Sequence, residues 1–116
     1  MLKDTKPNIL FVCGRNKWRS PTAESIYRND ERLNVRSAGV SGKSNHQISV
    51  NDLLWADLIL VMETNYKARI VSQFRNLHLP PIENLDIPDE YERMDTELVE
   101  LIKSGVEFHI QRFKKE

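Results

Sequence analysis

The chain has 116 residues, 40% hydrophobic and 29% charged, which fits one globular domain with a modest core. Seventeen basic residues balance seventeen acidic ones, so no overall field argues for nucleic acid or a membrane surface. No apolar stretch nears the roughly 20 residues that cross a bilayer, and Met1-Leu-Lys-Asp-Thr-Lys-Pro7 lacks the apolar centre of a signal peptide. One cysteine, Cys13, excludes an internal disulfide framework and suits a reducing compartment, with the cytoplasm as default.

Residues 7–12 read as a buried strand, and 20–30 as a helix with Ser20 as N-cap and Pro21 at its first position. Leu33–Ser37 reads as a short second strand, followed by a polar, turn-rich stretch over Val40–Asn51. A brief helical piece around Asn51–Trp55 leads into an apolar third strand, Leu58–Met62. Tyr66, Ile70 and Phe74 have helical spacing within 63–74. Asn76–Leu79 reads as a weaker fourth strand that Pro80-Pro81 ends, and 82–94 as an acidic loop interrupted by proline. From the N-cap Asp95, an apolar stripe of Leu98, Leu101, Ile102 and Val106 marks a terminal helix, with Gly105 inside it. Strands alternating with helices predict an α/β fold with a parallel sheet and right-handed crossovers, as a single domain over 1–116.

The chemistry concentrates in Cys13-Gly-Arg-Asn-Lys-Trp-Arg-Ser20. A strand runs into a tight loop and the loop into a helix. Such a loop aims backbone N–H groups at one spot, and the helix N-terminus adds partial positive charge. A cysteine there is expected to ionise to the reactive thiolate. Arg19 supplies a planar fork that fits phosphate. From average composition, a Cys meets Arg and then Ser or Thr at this spacing about once in a hundred times. The pattern predicts a phosphate cradle with a nucleophile at its floor.

Phe11-Val-Cys-Gly-Arg-Asn-Lys-Trp-Arg-Ser-Pro-Thr-Ala-Glu24 resembles the signature of the low-molecular-weight protein tyrosine phosphatases. The similarity continues in Arg36-Ser-Ala-Gly39, in 56–65 and in Asp86-Ile-Pro-Asp-Glu-Tyr91. The resemblance implies a three-layer fold: a four-stranded parallel sheet in order 2-1-3-4, helices on both faces, and the phosphate loop at the carboxyl end of strand 1. It also implies a phosphatase acting on aryl (tyrosine) phosphate esters through a phosphocysteine. Carried over residue by residue, Cys13 is the nucleophile, Arg19 holds the phosphate, Ser20 bonds the sulfur and Asp89 is the general acid. Asp86 is the second candidate for the acid. Asn16 pins the loop's left-handed turn, with Ser37 and His46 as its polar braces. Gly14, Arg15, Lys17 and Trp18 complete the loop and its rim, and Tyr91 helps line the mouth.

No metal or organic cofactor is implied. The expected partners are a phosphorylated protein or small aryl phosphate, with phosphate or sulfate in the loop, and neither nucleic acid nor membrane. The chain departs from the family pattern in four places. Arg15 replaces a common glycine, Gly14 a common aliphatic, Trp18 a frequent second cysteine, and Glu90 the proline after the acid. The stretch between Gly39 and Asp52 is also short, which predicts a shallower site. Two rivals stay open: an arsenate reductase using an external thiol, and a non-catalytic module that binds phosphate or phosphotyrosine.

Overall fold

A computed structural model describes residues 6–113; Met1–Thr5, and with them most of the N-terminal leader reading, lie outside the described residues, as do 114–116. Its eight elements alternate as the sequence predicts. They are β1 (Asn8–Cys13), α1 (Arg19–Tyr27), β2 (Asn34–Gly39), α2 (Val50–Trp55), β3 (Leu58–Val61), α3 (Thr64–Gln73), β4 (Ile82–Asn84) and α4 (Thr96–Arg112). The four strands form one parallel sheet in the order β2-β1-β3-β4.

Neighbouring strand residues point to opposite faces of a sheet. In β3 all of Leu58–Val61 are buried, and in β1 all of Ile9–Cys13, so both faces of the sheet are covered. Helix α1 packs on β1 and β2 and against α4, while α3 packs on β3 and β4. The core runs through Ile9, Leu10, Phe11, Ile59, Leu60, Met62, Ile70, Leu98 and Ile102. Among the described residues no helix is long and apolar enough to cross a membrane.

Three local expectations change. The fourth strand is Ile82–Asn84, not Asn76–Leu79. Leu77 instead donates its N–H to the Phe74 carbonyl in a turn after α3. Pro80-Pro81 lead into the strand rather than end it. The sheet needs only the Pro81 carbonyl, which accepts from Ile59 N at 2.9 Å, and proline retains that acceptor.

Ser20 is not the N-cap of α1. The first helical residue is Arg19, two residues before Pro21, Trp18 holds the cap position without a side-chain bond, and the Ser20 hydroxyl turns to the sulfur. Leu101 is 38% exposed and drops out of the apolar stripe of α4, which buries Leu98, Ile102 and Val106. Asp95 caps α4 as expected, accepting from Glu97 N and Leu98 N. Gly105 does not interrupt α4: a Cβ there would stand 3.0 Å from Leu85 Cδ2, so the glycine seats the chain that follows β4.

Candidate active site

The loop from Gly14 to Trp18 leaves the carboxyl end of β1, the central end where open α/β sheets place ligands. Its shape is set by where its carbonyls go. Cys13 O accepts from Val40 N, Gly14 O from Ser41 N and Ser44 Oγ, and Arg15 O from Asn45 N. Asn16 O accepts from Asn45 Nδ2 at 3.0 Å. Four successive carbonyls are thus bonded to the 40–45 segment. The peptide N–H groups on their other side are left for the concave face. Asn16 sits in the left-handed region at φ 54° and is buried, a conformation asparagine tolerates. Gly39 makes room for the turn, since a Cβ there would lie 2.7 Å from Asn16 N and 2.8 Å from Arg15 C.

Cys13 Sγ lies at the floor, 3% exposed as a residue, and accepts from Asn16 N at 3.2 Å. Ser20 Oγ stands 3.0 Å from it. Donor counting gives this contact a direction. The Asn16 amide donates to Ser20 Oγ and to Ser37 Oγ, each at 2.9 Å. Ser37 Oγ in turn donates to Glu24 Oε1. Ser20 therefore receives at its oxygen, and its single proton is left for the sulfur or, at 3.3 Å, for Ala38 O. The chain from Glu24 through Ser37 and Asn16 to Ser20 aims a donor at Cys13.

Arg19 is 3% exposed. Nη1 donates to Glu63 Oε2 at 2.6 Å and to Ile87 O at 2.7 Å, and Nη2 donates to Tyr66 OH at 2.7 Å. A guanidinium has five N–H donors, so the Nε–H and one Nη2–H remain, both on the edge suited to bidentate binding. Asp89 Oδ1 stands 3.7 Å from Nε at that edge. Burial is the largest single effect and works against the Arg19 charge, but the Glu63 bond, the Tyr66 contacts and the Asp89 charge together outweigh it and hold the group above its ordinary range. Burial also raises the Tyr66 hydroxyl against the pull of Arg19.

A cleft of about 170 Å³ opens over the sulfur, lined by Cys13, Gly14, Arg15, Lys17, Trp18, Arg19 and Asp89. It is smaller than the roughly 300 Å³ at which sites for drug-sized ligands begin, and suits one phosphoryl group with its leaving atom. Lys17 Nζ sits 4.8 Å over the Trp18 ring, and both are exposed at the rim with Arg15. Asp86 takes a left-handed turn at φ 58°, accompanied by a bond from its own N–H to Asn84 Oδ1, and is not part of the lining. The loop carrying Asp89 is tied down on both sides. Leu85 N and Ile87 N donate to Val61 O and Met62 O, Arg19 holds Ile87 O, and Met94 N donates to Thr22 Oγ1.

Two expected site residues fall elsewhere. His46 does not brace Asn16: its Nε2 meets Asp52 Oδ2 at 2.8 Å, a carboxylate already gathered by the Ser49 cap of α2 and by Arg36. Ser37 alone of the two expected braces reaches Asn16. Tyr91 does not line the cleft. Its hydroxyl donates to Glu97 Oε2 in the first turn of α4, and its ring packs against the core. Glu63, Tyr66 and the Ser41–Asn45 stretch, in turn, join the site without having been singled out. Among the described residues no group of three or more His, Cys, Asp or Glu side chains is placed to hold a metal ion.

The same architecture is found in solved structures. A low-molecular-weight protein tyrosine phosphatase from Streptococcus pyogenes, SP-PTP, superposes with a TM-score of 0.77 at 18% identity, over 95% of each chain. The chain has the low-molecular-weight tyrosine phosphatase fold. The tyrosine phosphatase Wzb from Escherichia coli K30, solved with phosphate, gives 0.70 at 20% identity over 95% of this chain and 100% of that one. DARP, a Drosophila arginine phosphatase, gives 0.69 at 21% identity over 93% and 98%. No family model and no curated protein matches the sequence. The fold thus carries phosphatases named for two different leaving groups.

Proposed function

We propose that the chain hydrolyses aryl phosphate monoesters, with tyrosine phosphate in proteins as the substrate class, through a phosphocysteine. The observation that carries this reading is the placement of Cys13 and Asp89 in one small cleft with the Arg19 edge between them. The phosphoryl oxygens take the loop N–H groups and the Nε edge of Arg19. Cys13 Sγ attacks phosphorus, the P–O bond to the ring breaks, and Asp89 gives its proton to the departing oxygen. A tyrosinate needs that proton because its conjugate acid has a pKa of about 10. Asp89 then takes a proton from water, the water oxygen attacks phosphorus, and the S–P bond breaks to release phosphate and the thiolate. Ser20 stabilises the sulfur as it leaves. Phosphate or sulfate occupies the same cradle as product or inhibitor, and a free thiol nucleophile suits the cytoplasm.

The rim favours tyrosyl over arginyl phosphate. Arg15 and Lys17 line the mouth, and among the described residues neither is paired with a carboxylate. Beside them a guanidinium leaving group meets like charge, whereas a phenol does not. Arsenate reduction would need a thiol from outside, since Cys13 is the only one in the chain. A pure binding module has no use for Asp89 at the Arg19 edge.

The deciding experiment is hydrolysis of p-nitrophenyl phosphate and of phosphoarginine by the intact chain, with Cys13→Ser as control. The expected result is turnover of the aryl ester alone, abolished in Cys13→Ser while phosphate binding persists. Turnover surviving in Cys13→Ser would remove the nucleophile from the mechanism, and preference for phosphoarginine would reverse the substrate class.

A further inference from the structure

Tyr66 reaches the site from the first turn of α3. Its hydroxyl accepts from Arg19 Nη2 at 2.7 Å and donates to Glu63 Oε2 at 3.2 Å, so it is held from two sides. The residue is 8% exposed, and the guanidinium lies 5.5 Å from the ring centroid. Across from it is Gly14. A Cβ on residue 14 would stand 3.0 Å from the Tyr66 hydroxyl oxygen but 3.6 Å from Cζ. The first distance forces a shift, while the second is an ordinary contact. Gly14 does not have a positive φ, so its backbone does not call for glycine. The hydroxyl opposite does.

We infer that Tyr66 is the positioning residue of Arg19, and that its hydroxyl and the missing side chain at Gly14 work as one unit to aim the guanidinium edge that receives the phosphoryl group. This rests on the phosphate-cradle reading above. Without the hydroxyl, a buried Nη2 donor loses its acceptor and the fork is held by Glu63 and Ile87 O on Nη1 alone. With a methyl at residue 14, the hydroxyl, held between Arg19 and Glu63, must give by a few tenths of an ångström.

The test is a double-mutant cycle on the whole chain with Tyr66→Phe, Gly14→Ala and both together. Inorganic phosphate binding is read by calorimetry, kcat and KM with p-nitrophenyl phosphate, and folding by thermal melting. Tyr66→Phe should weaken phosphate binding about tenfold, the usual worth of a bond to a charged group, and lower kcat/KM by at least as much. Gly14→Ala should cost a similar factor alone, yet less than about twofold on top of Tyr66→Phe, where only the ring is met. Glu63→Gln cuts an Arg19 ion pair but leaves the Tyr66 hydroxyl in place, so in that background Gly14→Ala must still cost as much as in the unsubstituted chain. Equal losses from Gly14→Ala in all three backgrounds, or unchanged phosphate binding in Tyr66→Phe, would overturn the inference. Failure of the cradle itself shows differently, as no phosphate binding by the unsubstituted chain.

Discussion

Asp86 and Asp89 sit three residues apart in one acidic loop, and of the two only Asp89 lines the cleft with Cys13 and Arg19. Asp89→Asn should therefore slow aryl phosphate cleavage by on the order of 10²–10⁴-fold, the usual worth of general acid catalysis. The loss should shrink for esters whose leaving groups are more acidic, because these need less protonation. Asp86→Asn should leave the rate within about twofold, since Asp86 serves a surface turn. Leaving-group plots for the two variants check both statements, and the opposite ranking would move the acid to Asp86. The placement of Asp89 in the cleft was legible in the sequence because it belongs to a short local pattern. So were Cys13, Arg19 and Ser20, which one strand–loop–helix turn brings together. Glu63 and Tyr66 were not: they meet Arg19 across 44 and 47 residues, and nothing local marks them. His46 was misread for a related reason. Its carboxylate partner lies six residues ahead, and Asp52, shared with the α2 cap, outcompetes a distant asparagine.

At the level of elements, the loop between β1 and α1 is shaped as much by the stretch after β2 as by its own residues. Val40, Ser41, Ser44 and Asn45 take up its carbonyls, so the segment whose brevity predicts a shallow site is also the loop's outer brace. Gly39 is the point of closest approach. A methyl there would meet Ser44 Oγ at 2.1 Å, which a rotamer can relieve, and Asn16 N at 2.7 Å, which it cannot. Gly39→Ala should destabilise the protein by about 1–3 kcal/mol, as overpacking does, and weaken phosphate binding out of proportion. Denaturant melts and phosphate titration measure the two effects, and a variant with normal phosphate affinity would show that the loop tolerates displacement. The parallel order and most elements followed from hydrophobic runs. β4 did not, because three residues form a strand there only through their ladder with β3. Before folding, Asn76–Leu79 is the more strand-like stretch.

Across the whole molecule, Arg32 fastens the end of α1 to α4. It donates to Asp30 and to Glu107, and Glu107 also accepts from Tyr27. The Arg32 bonds hold both carboxyls below their ordinary values. A depressed folded-state value means stability that is present above about pH 4 and is lost as pH falls through the lower folded values. Arg32 is half exposed, so solvent screens part of this. Acid titration of the melting temperature should fall less steeply below about pH 4 in Arg32→Ala than in the unsubstituted chain. Parallel slopes would mean that the cluster adds nothing.

The anchoring of the acidic loop to β3, Arg19 and Thr22 has a kinetic consequence. Enzymes that shut a lid over substrate often turn over at the speed of the lid. In the proposed reaction the acid, Asp89, is already in place, and Arg19, the proposed phosphate ligand, is the same side chain that moors the loop. No closing stroke separates encounter from chemistry. Sucrose that thickens the solvent severalfold should leave kcat unchanged, and a proportional fall would reveal a gate. On that reading, a slot that does not open needs a substrate whose phosphorylated residue comes to it on a pliable stretch of its own chain.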